Sequence, residues 1–237
     1  MNLFVANWKM HKTRAEARAF AVDLGQQIGG GIAGAELVIA PAWTALDAAR
    51  DARGRWSLAC QDVAAQSGGA FTGEVSAAMS ADAGCRYAIV GHSERRRLFA
   101  EDGPTLESKL ARCREAGLTP IYCIGETAEQ RDAGRTEATL VAEIATLAKD
   151  PVEAPLVVAY EPIWAIGTGR SATPQDCAEA CARIRQLLAA RKQLRILYGG
   201  SVAPENAADL LAGPGVDGLL IGGASLSAAS FEAIARA

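Results

Sequence analysis

Leu156-Val157-Val158-Ala159-Tyr160-Glu161-Pro162 is an unbroken run of five apolar residues, then a carboxylate, then a proline. A run that is continuous rather than alternating suits a parallel strand buried on both faces. The proline pushes Glu161 into extended backbone, so the charge falls at the very end of the strand and not in a helix. The same signature recurs along the chain, with further apolar runs beginning at Leu3, Leu37, Leu58, Ala88, Pro120, Ile196 and Leu219. Stretches with helical spacing separate most of them. Ala15 to Ile28 is one, with Ala19, Val22 and Ile28 as inward positions. Pro174 to Ala190 is another, with an Ile184, Leu187, Leu188 stripe and a proline suited to a first helical turn. The repeats average about 31 residues, an ordinary βαβ length. No Pro- or Ser-rich linker divides the chain, and Gly29-Gly30-Gly31 reads as a helix-ending turn. The expected fold is therefore α/β: one closed (β/α)8 barrel of parallel strands and outer helices, a single domain over residues 1–237. An open doubly wound sheet is the alternative on pattern alone.

Composition narrows the function. The 237 residues are 50% apolar and 22% charged, enough to build a sizeable core. A formal net charge of −3 argues against a nucleic-acid partner. Only two histidines are present, His11 and His92, which rules out a cluster of histidine ligands. Of six cysteines, none forms a C-x-x-C pair. Cys177 and Cys181 share one helical face and read as a small apolar patch rather than a zinc site. Met1 to Met10 has no long apolar stretch and no small-residue cleavage site, and no run of 18 apolar residues exists to span a membrane. A reduced, cytoplasmic protein is expected.

Polar or glycine residues stand just after the strands, the end at which barrels of this kind place their chemistry. They include Asn7, Lys9, Gln61, His92, Glu126, Glu161, Gly199-Gly200-Ser201 and Gly222-Gly223. Glu161 precedes apolar Ile163 and Trp164, which can dry it and make it a better base; the alternative is a structural ion pair with an arginine. His92 precedes Ser93, read as the cap of a helix starting at Glu94. At such a terminus a histidine can stay neutral and donate a hydrogen bond, or simply cap and pack. Asn7 and Lys9, two apart in continued strand geometry, point the same way and suit an oxyanion or phosphate, unless they are a surface pair. Glycines after the seventh and eighth strands let backbone N–H groups approach a phosphate, although tight turns use the same residues. Pro162 to Gly169 reads as a lid beside the base.

Six motifs, in order, carry a resemblance. They are Asn7-Trp8-Lys9-Met10, Gly91-His92-Ser93-Glu94-Arg95-Arg96, Cys123-Ile124-Gly125-Glu126, Ala159 to Gly169, Tyr198-Gly199-Gly200-Ser201-Val202 and Gly222-Gly223-Ala224-Ser225-Leu226. Together they resemble the triosephosphate isomerase family, from the first strand to the last loop. The resemblance implies a TIM barrel that interconverts dihydroxyacetone phosphate and D-glyceraldehyde 3-phosphate through an enediolate, in glycolysis and gluconeogenesis, with no cofactor and no metal. It implies Glu161 as the base, His92 as the neutral electrophile, and Lys9 as the charge that stabilises the enediolate. Asn7, Lys9, Gly167, Ser201, Gly222 and Gly223 would bind substrate, with Glu94 and Glu126 behind them. Ala70-Phe71-Thr72-Gly73-Glu74 resembles the family's interface loop, which implies a homodimer with Thr72 reaching the partner. Departures are mild: Ala100 stands at a common glycine, Asp62 at a common asparagine, and Arg170-Ser171-Ala172 at the lid's hinge. The other readings are a different sugar-phosphate barrel enzyme or a non-catalytic binding protein on the same scaffold.

Overall fold

A computed structural model describes residues 1–51, 53–165 and 172–237. Its strands are β1 (Asn2–Asn7), β2 (Ala35–Ala40), β3 (Ser57–Cys60), β4 (Cys85–Val90), β5 (Thr119–Ile124), β6 (Leu156–Tyr160), β7 (Leu194–Tyr198) and β8 (Gly218–Ile221). Each pairs in parallel with the next, and β1 also pairs with β8. That last pairing closes the sheet into the expected (β/α)8 TIM barrel and excludes an open sheet.

Strand alternation divides the core into two layers. One set fills the barrel: Leu3, Val5, Val38, Ala40, Tyr87, Ile89, Ile121, Cys123, Val157, Ala159, Leu197 and Leu220 among them. The other set, including Phe4, Ala6, Val158 and Tyr160, faces the helices. All six cysteines are buried. Cys177, Cys181 and Ile184 share the inward face of the helix Pro174–Leu187, as their spacing predicts, while Leu187 is only half-buried.

The first helix, Arg14–Ile28, starts at a capping box. The Thr13 hydroxyl accepts from the Glu16 N–H, and the Glu16 carboxylate accepts from the Thr13 N–H at 2.7 Å. Its inward stripe is Ala17, Phe20, Leu24 and Ile28, which corrects the expectation of Ala19 and Val22; both of those are exposed. The larger side chains decide the face. Phe20 meets the buried Trp8 ring edge-on at 4.8 Å between centroids, fixing the helix's rotation. At Ala100, φ is +53°, which explains why a glycine suits that helix end.

A polar plug closes the N-terminal end of the barrel. The Tyr87 hydroxyl donates to Glu36 Oε1 at 2.5 Å and accepts from Arg195 Nη2 at 2.8 Å, while Arg195 Nη1 reaches Glu36 Oε2 at 2.6 Å. Burial pushes the Tyr87 phenol up, and Glu36 adds to that. Glu36 ends below the usual carboxylate range: burial raises it, but Tyr87 and Arg195 more than offset that. The network is fully partnered, so removing one member should tell. Tyr87→Phe is expected to lose about 2 kcal/mol, near 6 °C in Tm, with kcat unchanged because the plug lies at the far end from the strands' C-termini. Calorimetry beside a rate assay checks both halves.

Candidate active site

Strand parity delivers two of the site residues directly. Leu3 and Val5 point into the barrel, so Asn7 is next in line; Val157 and Ala159 do the same for Glu161. Both side chains reach the mouth almost wholly buried, Asn7 at 5% exposure and Glu161 at 1%. On β4 the parity is wrong by one, because Tyr87 and Ile89 give the inward slot to Gly91. Gly91 resolves this with φ +71°, a conformation open to glycine, and turns His92 into the mouth.

Lys9 arrives by a different route from the expected continued strand. β1 ends at Asn7, and Lys9 adopts φ +52°, unusual for a residue with a side chain. Two contacts hold it there: its N–H donates to Asn7 Oδ1 at 3.1 Å, and its carbonyl accepts from Gln61 Nε2 at 2.9 Å. The ammonium ends 2.6 Å from Glu94 Oε1.

These groups line one side of a cavity of about 1040 Å³; Gly199, Gly200, Ser201, Gly222 and Gly223 line the other. Gly223–Leu226 forms a single 3-10 turn, with Gly222 just before it. Glu126 stands behind the wall, fully buried, accepting from the Tyr160 hydroxyl at 3.0 Å and from Trp164 Nε1 at 2.9 Å. It thereby anchors the turn Ile163–Ala165 that follows Glu161. The rest of the expected lid, Gly167 and the Arg170-Ser171 hinge lie outside the described residues. Thr72 is exposed in a loop whose residues 66–74 are all exposed, away from this cavity, and His11 is exposed as well.

His92 and Glu161 meet. Nε2 of His92 lies 2.9 Å from Glu161 Oε1, and the Ser93 N–H donates to Oε2 at 2.9 Å. Nδ1 of His92 accepts from the Glu94 N–H at 3.2 Å, so His92 itself caps the helix Ser93–Phe99. This corrects the expectation of a Ser93 cap: the helix's first N–H, that of Ser93, serves the carboxylate, and its second, that of Glu94, is spent on the imidazole. A neutral ring that accepts at Nδ1 must carry its proton on Nε2. Glu161 Oε1, buried beside Nε2, has no well-directed hydrogen bond.

Opposed effects set the charges. Burial disfavours the imidazolium, but the Glu161 carboxylate and, less strongly, Glu94 outweigh it and the Lys9 ammonium, lifting His92 above the ordinary 6.5. Burial pushes Glu161 up, but His92 and the Ser93 donor bring it below the usual carboxylate range. Since Glu161 supplies the main upward pull, Glu161→Gln is expected to drop the His92 midpoint, with burial and the Glu94 N–H then dominating. With two histidines, imidazole ¹⁵N NMR reads this directly; an unmoved midpoint would separate the two groups.

The family profile described as Triosephosphate isomerase matches residues 2–237. The chain belongs to the triosephosphate isomerase family. The triosephosphate isomerase of Symbiobacterium thermophilum is 48% identical over 247 positions, covering 99% of this chain and 96% of that one. Those of Nitratidesulfovibrio vulgaris and Thermus thermophilus are 46% and 45% identical, over 98% and 99% of this chain and 98% and 97% of theirs. In this triosephosphate isomerase framework, sequence reasoning missed several cavity residues: Arg97, Thr127, Gln130 and Glu143, with Arg96 quoted in a motif but given no role. Glu143 sits three residues after the buried Leu140, and that spacing is the one sequence signal that it turns inward.

Proposed function

We propose that this chain, as one domain over residues 1–237, interconverts dihydroxyacetone phosphate and D-glyceraldehyde 3-phosphate. Triosephosphate isomerase is the description of its family and the name of its relatives. One observation supports the residue roles above all others: a buried, poorly hydrogen-bonded carboxylate oxygen faces an Nε2–H donor across 2.9 Å at the floor of the cavity.

The two groups occupy each other's reactive atoms, so substrate must come between them. Glu161 then takes a proton from C1. The C–H electron pair becomes the C1=C2 bond, and the carbonyl electrons move to O2. His92 hydrogen-bonds O2 through Nε2–H and passes a proton between O2 and O1, and Glu161 returns its proton to C2. Nothing is gained or lost, and the balance needs no cofactor and no metal. A glutamate base, a neutral imidazole and a closing loop are the arrangement known for this family. Separating Glu161 from His92 also removes the pull that raises the imidazole pKa, which favours the neutral ring in the complex. Lys9 opposes the charge that develops on O2 and, with the N–H groups of Ser201, Gly222 and Gly223 and by resemblance Gly167, holds the phosphate. Asn7 sets Lys9, and Glu94 pairs with its ammonium.

A second copy of this chain is part of the reading. Met10 beside Lys9 is 95% exposed, and Leu98 and Phe99 at the end of the His92 helix are 62% and 63% exposed. Exposed apolar side chains on the elements that carry the catalytic groups suit a partner surface, as does Phe71 beside Thr72. We place the enzyme in the cytoplasm, at the step joining the two triose phosphates of glycolysis and gluconeogenesis. No helix among the described residues is long and apolar enough to cross a membrane.

A coupled assay with glyceraldehyde 3-phosphate tests the activity, and absence of turnover would end this reading. Phosphate binding without turnover would point to the non-catalytic alternative. Sedimentation is expected to report two chains per particle.

A further inference from the structure

In the wall of the cavity lies an ion pair that the mechanism does not use. Arg96 sits on the helix Ser93–Phe99, and its guanidinium turns back under the strand ends. Nε donates to the Gly91 carbonyl at 2.8 Å, and Nη2 donates to the Cys123 carbonyl at 2.8 Å and the Tyr122 hydroxyl at 3.2 Å. Nη1 lies 3.5 Å from Glu143 Oε1, and Oε2 of the same carboxylate accepts from the Gly125 N–H at 2.8 Å. Tyr122 completes the ring by donating to the Glu143 carbonyl at 2.9 Å.

Each end of this chain stops one step from a catalytic group. Gly91 is the residue whose left-handed turn aims His92. Gly125 lies flush against Glu161: a methyl group there would collide with the Glu161 carbonyl, and Glu161 N–H donates to Ile124 O at 2.7 Å. We infer that Arg96 and Glu143 are positioning residues that lock the β4 and β5 ends together and so fix the distance between His92 and Glu161, an assignment that rests on the isomerase reading above. The planar guanidinium is suited to the task because it addresses Gly91, Cys123 and Glu143 with one rigid fork, which a lysine ammonium does not reproduce. The same helix is also held at Arg95, which pairs with Asp62 and Glu101, and at Glu94, which pairs with Lys9, but neither contact reaches the β5 end; Arg97, Leu98 and Phe99 are exposed.

Three variants test the assignment: Glu143→Gln, Arg96→Lys and the double Arg96→Lys/Glu143→Gln. Glu143→Gln keeps an oxygen for the Gly125 N–H and removes only the charge, so it is the variant expected to fold even where Arg96→Lys does not. For Glu143→Gln and Arg96→Lys, kcat is expected to fall about tenfold with KM within twofold, a misplacement well under 1 Å. The inhibition constant of inorganic phosphate should stay within twofold, because the phosphate loops after β7 and β8 are not part of the lock. The His92 ¹⁵N resonances should shift while those of His11 stay in place. The double variant should lose no more than the worse single change, since the pair acts as one unit. Folded Glu143→Gln and Arg96→Lys proteins with kcat within twofold of the parent, or with an unmoved His92 resonance, would overturn the assignment, as would a loss carried by KM and phosphate affinity. Should the parent protein itself fail to turn over triose phosphate, the isomerase reading fails, while the His92 resonances still report whether the lock positions the ring.

Discussion

Glu161→Asp is expected to lower kcat by about 10²-fold while leaving KM within about twofold. Shortening the side chain by one methylene withdraws the carboxylate by roughly 1 Å, and a misplacement of that size costs on the order of 10²-fold. The backbone has no freedom to follow. Glu161 N–H is tied to the Ile124 carbonyl at 2.7 Å, and Gly125 packs directly on the Glu161 carbonyl. The shortened carboxylate also moves away from the Ser93 N–H and from His92 Nε2, both 2.9 Å away in the parent. On the proposed reading substrate binding rests on Lys9 and the loops after β7 and β8, which the change leaves alone, so the loss should sit in kcat. Removing a methylene from a site with 1% exposure costs about 1 kcal/mol of stability, readable as a small fall in Tm. An unchanged kcat in the folded variant would remove Glu161 from the role of base.

Most of the architecture was legible because the apolar runs are unbroken. Strands lined on one side by barrel filling and on the other by helices cannot alternate, so their number and spacing announce the closed barrel. Register was less legible. Ala19 and Val22 fit a helical stripe as well as Ala17 and Leu24 do, and only the packing of Phe20 on Trp8 chooses between them. The candidate site divides along the same line. Asn7 and Glu161 follow from strand parity, which sequence carries. His92 and Lys9 depend on backbone that leaves the strand, at the left-handed Gly91 and at the left-handed Lys9. Their motifs could be read, but the routes by which they reach the mouth could not. Glu143 was least legible, because its partners Arg96 and Gly125 come from other strand ends and meet it only once the barrel is closed.

Those two kinds of residue call for different experiments, and Lys9 shows why. Its backbone is held from outside, by Asn7 Oδ1 and Gln61 Nε2, while its side chain is free to be changed. Methionine has nearly the same reach, is no worse than lysine at positive φ, and removes only the ammonium. The side chains of Lys9 and Glu94 are 29% and 38% exposed, so the carboxylate left behind by Lys9→Met is hydrated and the surface pair contributes little to stability. Tm is therefore expected to stay within about 2 °C. Catalysis has no such substitute. On the proposed reading Lys9 faces both the developing oxyanion and the phosphate in the mouth of the barrel, and a preorganised charge in a dried site is worth several kcal/mol at the transition state. Turnover should fall on the order of 10³-fold or more, about 4 kcal/mol, with KM and the inhibition constant of inorganic phosphate both rising because the same charge serves both ends of the substrate. That pattern differs from Glu161→Asp, where kcat alone moves, and the pair of variants separates charge stabilisation from proton transfer. A folded Lys9→Met protein with the parent's kcat would contradict the electrostatic role; one with normal kcat and weakened phosphate inhibition would confine Lys9 to binding.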